Sequence, residues 1–259
     1  MPDPADERPH PPGPGPHWEE SWYFDFVVAD GSFGGFVRLA IRAGDNRAWW
    51  WTVLAGDRRP LVSVRDHDVD PPVGRSLEVR ASGLWAEVTT ETPLEHWSVG
   101  LEAFGVALDD PAEAWRAERG DPVAVGLDLE WETTEPSGPT DVFPAGGGEG
   151  YAQPCSVHGD VLVGRERITI DGRGWRAHRW GDRDWWSTPS PTTTLGHLDD
   201  GTPVTSADQT LQITATTRAP VLITAGDGRV SRLDRSLCRF ETPSGQRGAG
   251  WYESAAAPA

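Results

Sequence analysis

The stretch His178-Arg179-Trp180-Gly181-Asp182-Arg183-Asp184-Trp185-Trp186 gathers one imidazole, two carboxylates, two guanidinium groups and three indoles into nine positions. In an extended backbone His178, Trp180, Asp182, Asp184 and Trp186 share one face, while Arg179, Arg183 and Trp185 take the other. Gly181 is a place where a bulge would break that parity. The first face has the groups to protonate an alkene or polarise a carbonyl, because a low dielectric raises the pKa of a carboxylic acid. Indole walls would then stabilise developing positive charge. The same residues also fit a purely structural network, with Arg179 and Arg183 bridging Asp182 and Asp184 while the indoles fill a core.

A second, looser group lies at Glu91-Thr92-Pro93-Leu94-Glu95-His96-Trp97, just before an apolar strand. Asp66-His67-Asp68 runs directly into Asp70-Pro71-Pro72 and reads as a solvated turn. Trp49-Trp50-Trp51 must send indoles to both faces of a strand, so at least one face is expected to be an interface or a cavity lining and not simple solvent-exposed surface. Gly172-x-Gly174-x-x-Ala177 has the spacing of a dinucleotide fingerprint but no βαβ unit around it. No His-Glu-x-x-His, Gly-x-Ser-x-Gly or acidic calcium loop occurs. Cys155 and Cys238 are too few for a disulfide scaffold or a four-thiolate zinc site, and they read as buried small apolar residues.

Composition narrows the chemistry further. All 23 basic residues are arginine, which removes Schiff-base lysines and the usual phosphate loop. A formal charge of -17 opposes binding to nucleic acid and to anionic lipid surfaces. Fourteen Trp against 3 Tyr and 7 Phe is an unusual use of indole, suited to cores and to cavities for bulky apolar ligands. Seven prolines within the first sixteen residues suggest a disordered leader over residues 1–17, with neither signal peptide nor anchor. No apolar run is long enough for a spanning helix, so a cytoplasmic protein is expected.

These groups must be positioned by strands. From Trp18 onward, short β-branched and aromatic segments alternate with Gly, Asp and Pro turns, and Asp30-Gly31, Asp200-Gly201 and Asp227-Gly228 each mark a tight hairpin. Residues 110–119 alone look helical, with Asp109 or Asp110 as N-cap and Pro111 in the first turn. A Gly/Pro-rich stretch at 135–150 reads as a linker between an N-terminal β domain, 18–134, and a C-terminal one, 151–256. The expected fold is all-β: two tandem antiparallel barrels or sandwiches with one short helix.

Residues 20–26, the block 83–108, the 178–186 cluster and the tail from Asp227-Gly228-Arg229 to Gly250-Trp251-Tyr252-Glu253 resemble an actinobacterial branch of the hydroxyneurosporene synthase (CrtC)/AttH superfamily. The resemblance covers nearly all of the chain after residue 18. It implies two lipocalin-like domains side by side, with an apolar ligand site near their junction. In the hydratase branch a His-x-Trp element and acidic residues protonate and hydrate a terminal isoprenoid double bond, and His178 and Trp180 match that element. The expectation is therefore a cofactor-independent hydratase, isomerase or cyclase acting on a polyene, terpenoid or polyketide-like molecule. Its catalytic groups would be His178, Asp184, Glu95 and His96, its pocket would be lined by Trp22, Trp97, Trp180 and Trp186, and no metal is called for. A noncatalytic carrier of an apolar metabolite and a protein-interaction module are the alternatives, and the oligomeric state is left open.

Overall fold

Strands occupy most of the chain, as the turn-punctuated β-branched and aromatic segments require. The computed structural model describes residues 3–74, 76–116, 119–133, 148–186, 192–205, 210–225 and 227–256. Its strands are β1 (Trp18–Val28), β2 (Phe33–Arg42), β3 (Arg47–Gly56), β4 (Leu61–Val69), β5 (Glu78–Ala81), β6 (Leu84–Thr92), β7 (His96–Leu108) and β8 (Asp121–Thr133). They continue as β9 (Glu149–Val163), β10 (Glu166–Asp182), β11 (Thr193–Leu198), β12 (Pro203–Thr205), β13 (Gln212–Arg218), β14 (Val221–Thr224), β15 (Val230–Glu241) and β16 (Arg247–Ala256).

Ten strands form one antiparallel sheet in the order β4-β3-β2-β1-β10-β9-β8-β7-β6-β5. The sheet closes into a barrel because residues 61–63 of β4 pair with 106–108 of β7, beyond the point where β6 leaves that edge. The other six strands form a second sheet, β12-β11-β16-β15-β13, with β14 added to β15. The three expected hairpin glycines have positive φ, at 64° for Gly31, 94° for Gly201 and 87° for Gly228.

Indoles build both layers of the core. Trp22, Phe24, Phe26, Trp50, Trp97 and Trp131 fill the barrel. Trp49, Trp51, Trp175, Trp185 and Trp251 fill the seam between the two sheets. The Trp49–Trp51 run thus divides as strand alternation demands, Trp50 facing inward and its neighbours facing the seam. Trp175 Nε1 donates to the Gly196 carbonyl (3.1 Å) and Trp251 Nε1 to the Phe26 carbonyl (3.2 Å), so both of these buried indole N–H groups find a partner across the seam.

Several expectations change in three dimensions. Among the described residues of 110–119 there is a 3₁₀ turn, Pro111–Trp115, and no α-helix; the Asp110 side chain caps the turn on Ala112 N–H. The sheet boundary does not fall at 135–150, most of which lies outside the described residues. β9 and β10 complete the first sheet, and the chain passes to the second between Asp182 and Thr193. Asp66-His67-Asp68 is part of β4, not a solvated turn, because the His67 ring packs on Trp49 and Trp51. Residues 3–17, expected to be disordered, lie as an ordered strap across the barrel, since Glu7 and His10 find buried partners there. No helix of the described residues is long and apolar enough to cross a membrane.

His67 makes stability pH-dependent. The Trp51 indole N–H donates to His67 Nε2 at 2.7 Å, which requires the neutral ring. Burial, with Arg65 and Arg42 nearby, brings its pKa down from 6.5 to about 3. A base whose folded pKa is depressed contributes stability that is lost as pH falls below its unfolded value. His67→Gln keeps an acceptor for Trp51 and removes the titration. Urea midpoints at pH 7.5 and 4.5 are therefore expected to separate the variant from the wild type in the variant's favour at the lower pH only.

Candidate active site

β1 and β10 pair with Glu20 opposite Trp180, Trp22 opposite His178 and Phe24 opposite Arg176, while β9 brings Tyr151 opposite His178 and Gln153 opposite Arg176. Alternation turns one set of these residues into the barrel. At its centre Glu20 and His178, each 1% exposed, face one another with Glu20 Oε1 2.9 Å from His178 Nε2. Trp22 stacks on the imidazole at 4.6 Å and Trp180 leans against it at 5.0 Å. In the tautomer that donates from Nε2 to the Glu20 carboxylate, Nδ1 would present a lone pair to an aromatic-walled site. His178 Nδ1 is buried and makes no hydrogen bond. This is the geometry of a carboxylate-oriented general base.

The strap closes the site. His10 Nδ1 lies 2.7 Å from Glu20 Oε1, its backbone N–H donates to both carboxylate oxygens, and its ring stacks on Trp180 at 3.9 Å. His10, Glu20 and His178 bring one donor atom each within 4.8 Å of the others, a set that a divalent ion of the zinc class would accept. A turn earlier in the strap, Glu7 Oε1 accepts from Arg176 Nη1 (3.0 Å) and from Leu94 N–H (2.9 Å). Arg176 also donates to Gln153 Oε1, and its guanidinium lies over Trp97 at 5.3 Å. Burial and the neighbouring Glu7 carboxylate raise the Tyr151 pKa well above the ordinary phenol value, so its hydroxyl stays a proton donor beside His178.

Of the eight residues expected in the site, His178, Trp22, Trp97 and Trp180 lie in this buried region. The other four do not. Asp184 sits on the rim, 3.8 Å from His17 Nε2, with its Oδ1 accepting from Trp186 N–H. The carboxylate on His178 is Glu20 instead. Glu95 is an exposed turn residue, and His96 Nε2 faces Glu130 at 3.6 Å. Trp186 joins Trp49 at the seam, since the strand ends at Asp182 and the parity beyond it is lost. Two missed residues were visible by the same parity rule: Glu20 shares a face with Trp22, and Arg176 one with His178. Glu7 and His10 carried no such signal, because a proline-rich segment has no periodicity to follow.

On the other face of the same strand pair lies a second polar network. Asp25 Oδ2 accepts from Tyr23 Oη (2.7 Å), its Oδ1 accepts from Trp175 N–H (2.8 Å), and Arg235 donates to the same Tyr23 oxygen. Burial raises the Asp25 pKa to about 7 against the pull of these donors. The backbone opens here to admit the side chain: Trp131 Nε1 takes the Asp25 carbonyl at 2.8 Å, and a Cβ at Gly174 would stand 1.8 Å from that oxygen, so only glycine fits. The pocket at the seam is lined by Trp51 and Trp185, while Trp22 and Trp97 belong to the barrel interior and Trp180 is half-buried beside His178.

The architecture is shared with solved structures at identities that speak for fold alone. An AttH-type protein of Nitrosomonas europaea matches with TM-score 0.57 at 11% identity over 98% of this chain and 95% of that one. CghA bound to Sch210972 matches with TM-score 0.50 at 9% identity, covering 93% and 88% of the two chains. Kievitone hydratase of Nectria haematococca gives 0.47 at 11% identity, covering 92% and 89%. The fold is thus the all-β, lipocalin-like one that the sequence resemblance implied. No curated protein matches the sequence. Residues 3–209 match the family described as a domain of unknown function, DUF7064, and the chain belongs to that family.

Proposed function

We propose that the protein is a cofactor-independent acid–base catalyst of the hydratase, isomerase or cyclase type, acting on an apolar polyene, terpenoid or polyketide-like molecule admitted to the barrel when the strap lifts. His178 is the proton-transfer group, Glu20 orients it, Tyr151 supplies a hydrogen-bond donor, and Trp22, Trp97 and Trp180 form the walls. The observation that carries this reading is the Glu20–His178 contact at 2.9 Å with Nδ1 left free in an apolar surround. An imidazole held in one tautomer moves a proton between two carbons, or between carbon and water, without a metal or organic cofactor. The shared fold of CghA, whose structure holds the small molecule Sch210972, supports a small-molecule role.

The test pairs wild type with His178→Gln against a panel of such molecules. Binding is read by Trp fluorescence and products by mass spectrometry, as a gain of one water or as an isomer of unchanged mass. Conversion by the wild type and a fall of about 10²- to 10⁴-fold in the variant, with binding retained, is expected. Binding without conversion by either protein makes this a carrier and sinks the proposal.

A further inference from the structure

Residues 9–16 of the strap read Pro-His-Pro-Pro-Gly-Pro-Gly-Pro, so His10 is the one residue among them that is neither proline nor glycine. Prolines stiffen such a segment and carry no backbone N–H, which leaves few groups able to hold it to the barrel. His10 spends both of its donors on Glu20, and the contacts there are unevenly shared. Glu20 Oε1 meets His10 N–H (3.0 Å), His10 Nδ1 (2.7 Å) and His178 Nε2 (2.9 Å). Among the described residues Oε2 takes the shared His10 N–H alone, at 2.9 Å. Two imidazoles, with ring centroids 5.5 Å apart and planes tilted by 45°, thus converge on one carboxylate oxygen.

Two imidazole nitrogens and one carboxylate oxygen, all within 4.8 Å of one another, are the donor set of a zinc-class ion. Bonds of roughly 2.0–2.1 Å at a tetrahedral centre set neighbouring ligand atoms about 3.3 Å apart. The contacts of 2.7 and 2.9 Å therefore need to open by only about half an ångström, which small side-chain rotations supply. The second shell fits as well, because Asp6 Oδ1 stands 3.9 Å behind His10 Nε2, where a carboxylate orients a ligating imidazole. Magnesium and calcium prefer all-oxygen sites, so the two nitrogens select against them.

We propose that His10, Glu20 and His178 bind a zinc-class divalent ion, with the fourth position left to water, and that this ion latches the strap onto the barrel and locks the site. The metal site itself is independent of the function proposed above, while the inhibition rests on it. Inhibition follows in two ways. The ion ties His10 to groups on β1 and β10, so the strap can no longer lift. It also takes the lone pair of His178 Nε2, which moves the ring proton to Nδ1 and removes the free base that proton transfer requires. Among the described residues Nδ1 has no hydrogen-bond partner, so the proton arriving there finds no acceptor. That cost makes the ion easier to remove than a structural zinc, as a lock requires.

The experiment strips the full chain of metal with a chelator and titrates zinc chloride, with magnesium chloride as the comparison, following the melting temperature and the NMR signals of His10 and His178. Wild type is expected to show a saturable rise in melting temperature with zinc that magnesium does not give. Zinc is expected to slow exchange of the His10 amide proton by roughly tenfold or more and to move the His178 ring proton from Nε2 to Nδ1. His10→Gln, whose amide still donates to Glu20 and keeps the strap seated, and His178→Gln should each bind zinc about a hundredfold more weakly. His96→Ala, which breaks the exposed group of His96, Glu130 and Glu132, should bind it as wild type. Turnover in the wild type should fall at saturating zinc and persist in His10→Gln. Equal responses to zinc and magnesium, or unchanged affinity in both His10→Gln and His178→Gln, overturn the site. Zinc binding that leaves His10 exchange unchanged, or turnover that rises with zinc, overturns the latch. A protein that converts nothing sinks the catalytic reading, and the zinc affinities and His10 exchange then decide the metal site and the latch by themselves.

Discussion

Glu7→Ala is expected to destabilise the protein by about 3–5 kcal/mol, although residue 7 precedes every strand. Among the described residues its carboxylate is the one ion-pair partner of Arg176, and both side chains are almost wholly buried. Removing one member of such a pair leaves a desolvated charge, and the penalty of that charge exceeds the modest net worth of the pair itself. Two further losses follow. Leu94, held at φ 64° where a non-glycine residue is strained, loses the acceptor for its N–H, and the strap loses a buried anchor in the barrel.

The same reasoning fixes the sign of a second variant. Arg176→Met in the Glu7→Ala background removes the stranded charge and is expected to restore most of the lost stability, because apolar residues often replace a buried ion pair at little cost. The double-mutant cycle, read from urea midpoints, should give a coupling of several kcal/mol. A loss below about 1 kcal/mol for Glu7→Ala, the range of an exposed pair, would show that the strap is not docked in solution.

What the sequence reveals about this molecule follows from what periodicity encodes. Strand alternation is a local rule, so it placed Trp50 against Trp49 and Trp51 correctly, and it put Arg179, Arg183 and Trp185 on a face apart from His178 and Trp180. That second face lines the pocket at the seam. The rule stops where the strand stops: Gly181 has φ 134° and the strand ends one residue later, which carries Asp184 to the rim and Trp186 to the seam. Pairing across the barrel is not local at all. Nothing near His178 in the chain announces that β1 lies beside it, 158 positions away, and that Glu20 is its carboxylate. The division between sheets was missed for a related reason. A Gly/Pro-rich stretch marks where a chain turns, but β9 pairs back onto β8 and leaves the sheet unbroken.

Glu20→Gln is expected to lower turnover by about 10³- to 10⁴-fold if His178 is the proton-transfer group, because a carboxamide no longer enforces the tautomer that leaves Nδ1 free. The Glu20 carboxylate accepts from the His10 backbone N–H and meets the His10 and His178 rings at 2.7 and 2.9 Å. An amide offers one acceptor oxygen and turns two donor hydrogens toward those groups, so either the imidazole flips its proton to Nδ1 or the strap detaches. His10→Ala separates these outcomes: it removes the strap's ring while keeping Glu20 on His178, and its turnover is expected within tenfold of wild type. A readout that needs no substrate checks the premise. Nitrogen NMR of the His178 ring should show the proton on Nε2 in wild type and in His10→Ala, and on Nδ1 or exchanging between the two nitrogens in Glu20→Gln. If all three proteins give the same tautomer, Glu20 is a structural acceptor for the strap and the orienting role assigned to it is wrong.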